Sequence, residues 1–135
     1  MIFVDANVLL DLFAINQPWQ AWSRAVLGNA GPGVLVTNHV AVAEAGSVFT
    51  TVERVTVLLS EADIRLRSLT TEAAVVAGRA YRAYRRAGGP RDAIIADFLI
   101  GGHAAALGAT LVTRDRARFA SYFPTLKLIT PETHP

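Results

Sequence analysis

The chain contains no cysteine. That excludes a disulfide framework, an iron–sulfur centre, a thiolate zinc site and a cysteine nucleophile. It holds one lysine against twelve arginines. Cations here are therefore planar forks suited to phosphate and carboxylate, although GC-rich coding produces the same bias. Charge is scarce, at 18% of residues, and nets to +2. That surplus is too small to announce a nucleic-acid partner by itself. No stretch of eighteen apolar residues is free of charge, so no membrane span is expected. Residues 1–10 carry Asp5 within an apolar run and have no basic leader region, and the expectation is a soluble, cytoplasmic protein. Linkers, low-complexity segments and internal repeats are also missing. What is present is an apolar fraction of 52% over 135 residues, enough for one core and one domain spanning the chain.

The apolar pattern alternates between strands and helices. Ile2-Phe3-Val4 reads as a buried strand closed by Asp5, and Ala6 to Phe13 as a helix. A second helix is expected with Asn16 as its cap and Pro18 in its first turn. It would carry Trp19, Trp22 and Val26 on one face and stop at the glycine-rich Gly28 to Gly33. Val34 to Val36 is the second strand. His39 to Phe49 is a helix, continued by Val52 to Leu59. Ile64 to Leu69 alternates as a half-buried strand does. Long helices follow over Thr71 to Ala87 and Arg91 to Leu107, then a strand at Ala109 to Val112. A helical turn at Arg116 to Tyr122 and a last strand at Lys127 to Ile129 complete the series. Such alternation specifies an α/β domain with a mostly parallel sheet of about five strands. Ligands of such sheets bind beyond the carboxyl ends of the strands.

Acids stand there. Asp5 closes the first strand, and Asp115 lies just past the fourth. Glu44 and Asp97 are each set in an apolar helix, where an ionised carboxylate is costly unless paired or bound to a metal. Gly101, Ala104 and Gly108 share a helical face with Asp97 and would let it lie close on the sheet. Each acid also admits a structural role. Asp5 could cap the helix from Ala6, Asp115 could be a turn residue, and Glu44 and Asp97 could pair with arginines. Asp92 follows Gly-Gly-Pro as a helix cap would and falls on another face from Asp97.

Four carboxylates at one site repel each other. An all-oxygen set suits Mg²⁺ or Mn²⁺, and the chemistry it suits is metal-assisted phosphodiester hydrolysis. Asn7 and Thr113 lie close to the acids in sequence and could orient ligands or water.

The order of these motifs resembles a known family. Val4-Asp5-Ala6-Asn7-Val8-Leu9-Leu10-Asp11 is similar to the opening of PIN-domain ribonucleases. Thr37-Asn38-His39-Val40-Ala41-Val42-Ala43-Glu44, Asp97-Phe98-Leu99-Ile100-Gly101-Gly102-His103-Ala104 and Leu111-Val112-Thr113-Arg114-Asp115 with Phe119 continue the likeness. It is nearest to the VapC-type toxins of bacterial toxin–antitoxin pairs and runs from Met1 to about Pro131. The resemblance implies a three-layer α/β/α PIN-like fold. It implies Asp5, Glu44, Asp97 and Asp115 as catalytic metal ligands, with Mg²⁺ or Mn²⁺ as cofactor. It further implies an RNA substrate of the tRNA or rRNA class, a homodimer, and a cognate antitoxin covering the site.

Other features bear on partners. Arg114, Arg116 and Arg118 flank Asp115 and are placed to meet a phosphate. Arg79, Arg82 and Arg86 form a stripe that either tracks a phosphate backbone or is simply a solvated face. Trp19 and Trp22 are expected to pack in the core. With Val8, Leu9, Leu12 and Phe13 they could instead build a groove for an antitoxin helix. His39 and His103 read as structural, and no second histidine stands at zinc-ligand spacing. The reading from another class is a catalytically silent PIN-like module or a receiver-like Mg-binding module. The receiver form needs a lysine near the site, and the single one, Lys127, lies on the last strand.

Overall fold

The computed structural model describes residues 1–90 and 95–135. Strand β1 (Ile2–Val4) is short and apolar, as a doubly covered strand must be. It pairs with β2 (Leu35–Asn38) on one side and β4 (Thr110–Val112) on the other. With β3 (Ile64–Arg67) and β5 (Leu128–Ile129) these form a five-stranded sheet ordered β3-β2-β1-β4-β5. Every pairing is parallel. Phe3 and Val4 point to opposite faces, as do Leu111 and Val112, and all four are fully buried. Helices therefore cover both faces, giving three layers.

From β1 the chain winds outward through β2 to β3, then returns to place β4 on the other flank of β1. The winding reverses between β1 and β4, and such a reversal opens a crevice beyond their carboxyl ends. Val4 is in register with Val112, and the Asp5 N–H donates to the Val112 carbonyl at 3.1 Å. Asp5 and the Thr113–Asp115 turn thus start side by side.

Helix α1 (Ala6–Phe13) begins directly after β1, with Asp5 as its cap. Helix α2 (Gln20–Gly28) starts later than the sequence suggests. Asn16 is not its cap: it sits at φ 59°, the left-handed region that asparagine tolerates better than most residues. Trp19 occupies the cap position without a side-chain bond. The expectation that both tryptophans enter the core also needs correction. Trp19 remains 41% exposed, edge-on to Trp22. Trp22 leans on the edge of the core and donates its indole N–H to the His134 carbonyl at 2.7 Å.

Strand β2 extends two residues past Val36, and its last residue, Asn38, caps α3 (His39–Glu44) by accepting from the Ala41 N–H. Helix α3 ends at Glu44, not Phe49. Helix α4 (Val52–Glu61) is a separate element, begun by Thr51, whose hydroxyl accepts from the Arg54 N–H. A threonine cap starts a new helix more readily than it continues an old one.

Helices α5 (Thr71–Arg86) and α6 (Ile95–Ala106) pack closely. The contact runs through Gly102, where an added Cβ would lie 2.8 Å from the Ala77 backbone. The expected small-residue face is only partly used against the sheet, because Gly101 faces the Phe123 ring and Gly108 lies beyond the helix at φ 65°. Phe98 is fully buried. It stacks on Tyr122 of α7 (Arg116–Tyr122) at 4.2 Å and meets Tyr81 edge-on. That burial contributes about 1.5–3 kcal/mol and fixes the turn of α6 that carries Asp97. Asp92 and the opening of the expected helix Arg91 to Leu107 lie outside the described residues.

Candidate active site

Four acidic side chains from four separate elements line one cavity of about 180 Å³ at the reversal point: Asp5, Glu44, Asp97 and Asp115. Asn7, Arg118 and Phe119 also border it. Asp5 comes from the end of β1, Glu44 from the last residue of α3, Asp97 from the first turn of α6, and Asp115 from the cap of α7. Three of these acids fill structural roles as well. Asp5 Oδ1 accepts from the Ala6 N–H at 2.7 Å. Asp115 Oδ1 accepts from the Arg118 N–H at 3.2 Å. Asp97 pairs with Arg118. Glu44 is exposed at the rim and forms no ion pair among the described residues.

Thr113 is the hub of the inner wall. Its hydroxyl donates to Asp5 Oδ2 at 2.7 Å, and it accepts from the Asn7 amide at 3.3 Å and the Asp115 N–H at 3.0 Å. The Asn7 carbonyl oxygen accepts from the Arg114 N–H. Asn7 and Thr113 thus orient two of the four acids.

Electrostatics follow from this crowding. Burial pushes the Asp5 carboxyl up to about 7, against the Thr113 and Ala6 hydrogen bonds, and the charges on Asp97 and Glu44 add to the rise. Partial burial raises Glu44, and the Asp97 charge adds to it. Burial likewise raises Asp97, with Arg118 opposing. Burial works against the Arg118 charge, yet Asp97 and Asp115 outweigh it and hold the guanidinium more firmly protonated. Four carboxylates against one guanidinium leave unmet demand for positive charge. The donors are all oxygen, which is the chemistry of a hard divalent cation. The cavity also has room for an ion with several of its waters. The residues therefore fit such an ion. Among the described residues no three of these groups stand in direct ligating geometry, and Arg118 bridges two of them.

The three flanking arginines are placed differently from one another. Arg114 turns inward and donates its Nε–H to Asp11 Oδ2 at 2.8 Å. Arg116 is exposed. Arg118 lies across the cavity. The stripe of Arg79, Arg82 and Arg86 is exposed on α5.

Two supporting pairs escaped the sequence reading. Asp11 is fully buried, and its Oδ2 also accepts from the Ser23 hydroxyl at 2.8 Å. One turn apart on α1, Asn7 and Asp11 hold the backbone and the side chain of Arg114, which steadies the turn bearing Asp115. The available signal was a polar pair at i, i+4 on an otherwise apolar helix. The Asn38 amide lies 3.1 Å from His103 Nδ1, joining the cap of α3 to α6 and so linking the helices that carry Glu44 and Asp97. Burial lowers the His103 pKa, and the charge of Arg67 adds to that, a shift toward the neutral ring that suits a structural histidine.

Comparison with known proteins agrees with this architecture. A family model described as the PIN domain matches residues 2–122. No curated protein matches the chain at a significant level. Among solved structures, FitAcB from Neisseria gonorrhoeae is similar with a TM-score of 0.73 at 20% identity, covering 98% of this chain and 99% of that one. VapBC2 from Rickettsia felis, bound to a DNA fragment from its promoter, gives 0.71 at 19% identity, covering 96% and 98%. A toxin–antitoxin complex from Klebsiella pneumoniae gives 0.71 at 16% identity, covering 97% and 98%.

Proposed function

The chain belongs to the PIN-domain family, and from that premise we propose that it is a Mg²⁺- or Mn²⁺-dependent endoribonuclease, the VapC-type toxin of a toxin–antitoxin pair. The observation that carries this reading is the meeting of Asp5, Glu44, Asp97 and Asp115 in one cavity at the sheet's reversal point. A divalent cation held there would supply Lewis-acid activation of water and stabilise charge on the phosphate and the leaving oxygen. Asp5, Glu44, Asp97 and Asp115 would hold it. Thr113 fixes Asp5 Oδ2 and the start of the Asp115 turn, and Asn7 holds Thr113 and the Arg114 backbone. The substrate is RNA of the tRNA or rRNA class, approached from the open side of the cavity where Arg116 and Arg118 can meet phosphate.

The solved neighbours include toxin–antitoxin complexes, which supports an antitoxin partner for this chain. Ile15, 85% exposed, and Trp19 offer it an apolar landing beside α1 and α2. The active form is a homodimer, as in the VapC-type toxins the sequence resembles. No helix among the described residues is long and apolar enough to cross a membrane, and we place the protein in the cytoplasm with its substrate.

The test is cleavage of total RNA by purified, antitoxin-free protein across a metal titration. Cleavage should require Mg²⁺ or Mn²⁺ and stop on chelation. Asp5→Ala or Asp115→Ala should slow it by several decades. Cleavage that survives both chelator and Asp5→Ala would point to another catalyst. Metal binding with no cleavage of any RNA would favour the silent module.

A further inference from the structure

The cavity already contains a cation, and it belongs to the protein. Arg118 reaches from the first turn of α7 and donates Nη1–H to Asp97 Oδ2 at 2.9 Å. Its Nε lies 3.1 Å from Asp115 Oδ2. The Arg118 backbone N–H takes the other oxygen of the same Asp115 carboxylate. One residue therefore engages both oxygens of one acid and one oxygen of a second. The two ends of the pair differ in freedom. The Asp97 side chain is 7% exposed and fixed on α6, whereas the Arg118 side chain is 41% exposed on a long, rotatable stem. The fork can swing to solvent while the backbone that presents the acids stays in place.

A fork and a divalent ion compete for those oxygens, because each lone pair and each share of the negative charge taken by one is withdrawn from the other. Both are cations and both require the carboxylates ionised. With Arg118 across the pair, no three acidic groups among the described residues converge to ligating geometry. We propose that Arg118 is a competing internal cation, closing the Asp97–Asp115 pair in the metal-free protein and yielding it when a divalent ion binds. This rests on the metal-site reading above. Arg118 would then set the site's affinity, because binding is weakened by the fraction of molecules in which the fork has let go. In exchange, the metal-free protein is spared part of the repulsion among four clustered carboxylates.

The experiment compares Mn²⁺ binding to wild type and Arg118→Gln by calorimetry, together with metal-free melting temperatures. Arg118→Gln should bind Mn²⁺ more tightly, about tenfold if the fork is released in roughly a tenth of wild-type molecules. It should melt at a lower temperature without metal and show a larger rise on saturation. A mere structural salt bridge would lower the melting temperature without tightening Mn²⁺. In wild type, the ¹⁵N-labelled Arg118 Nε–H resonance should move on Mg²⁺ saturation, a readout that does not depend on a variant folding. Equal or weaker Mn²⁺ binding by folded Arg118→Gln, or an Nε–H resonance unmoved at saturation, would overturn the exchange while leaving the metal site standing. No binding by either protein would overturn the metal site and this inference together.

Discussion

The Thr113 hydroxyl donates to Asp5 Oδ2 at 2.7 Å across 108 residues of sequence. The bond spans the two strands between which the sheet's winding reverses, so the site's most buried acid is held by the turn that supplies its most distant one.

Thr113→Val keeps the shape of the side chain and removes that donor. It leaves Asp5 Oδ2, the Asn7 amide and the Asp115 N–H without their shared partner. The expected loss is about 1–3 kcal/mol, read as a lower urea midpoint, with slower RNA cleavage. Thr113→Ser should recover most of both. A valine variant as stable and as active as wild type would show that the hydroxyl orients nothing.

Asp5 gives a pH signature. Its folded pKa of about 7 lies above the unfolded value of 3.8. Between those values the folded protein holds a proton that the unfolded chain has released, so stability falls as pH rises. Without metal, wild type should lose stability relative to Asp5→Asn from about pH 4 to pH 7. The loss is on the order of 4 kcal/mol at most and levels off above that window. Thermal melts at stepped pH in the presence of chelator measure this. Parallel curves for the two proteins would mean that Asp5 ionises normally.

Asp11 and Arg114 form a pair with no direct place in the cavity. Asp11→Ala strands the Ser23 hydroxyl in the interior and frees the Arg114 guanidinium. We expect a loss of about 3 kcal/mol, at the low end for a buried pair because Arg114 is partly exposed and can turn to water. A double-mutant cycle with Arg114→Ala should return a coupling of about 0.5 kcal/mol or more. Additive losses would show that the two side chains act independently.

Gly102→Ala tests the α5–α6 contact. The new methyl group meets the Ala77 backbone, which cannot rotate away as a side chain could. The helices must separate, at about 1–3 kcal/mol. Asp97, on the same helix, should shift with them, so weaker Mn²⁺ binding should accompany the lower melting temperature. Wild-type values for both would show that α6 has slack.

Much of this was legible in the order of residues. The central strands are runs of apolar residues, and the helices show their period, so the element series and the parallel sheet follow from local pattern. The boundaries that moved did so for local reasons of finer grain. Asn16 took a left-handed turn where a cap was expected, and Thr51 divided one expected helix into two. The positions of Asp5 and Asp115 just after strands were readable because parallel strands all present their carboxyl ends to one edge.

What tertiary structure alone decided is which groups satisfy one another. Asp97 and Arg118 are 21 residues apart, and Asp11 and Arg114 are 103 apart. Sequence spacing carries no record of either pairing. Three neighbouring arginines look alike in the chain, yet Arg114 supports the turn from behind, Arg116 faces solvent and Arg118 crosses the cavity. Residue type sets how far a guanidinium can reach and what it can bond. Which carboxylate lies within that reach depends on how α1, α6 and α7 pack around the sheet, because a hydrogen bond is made or lost over a few tenths of an ångström.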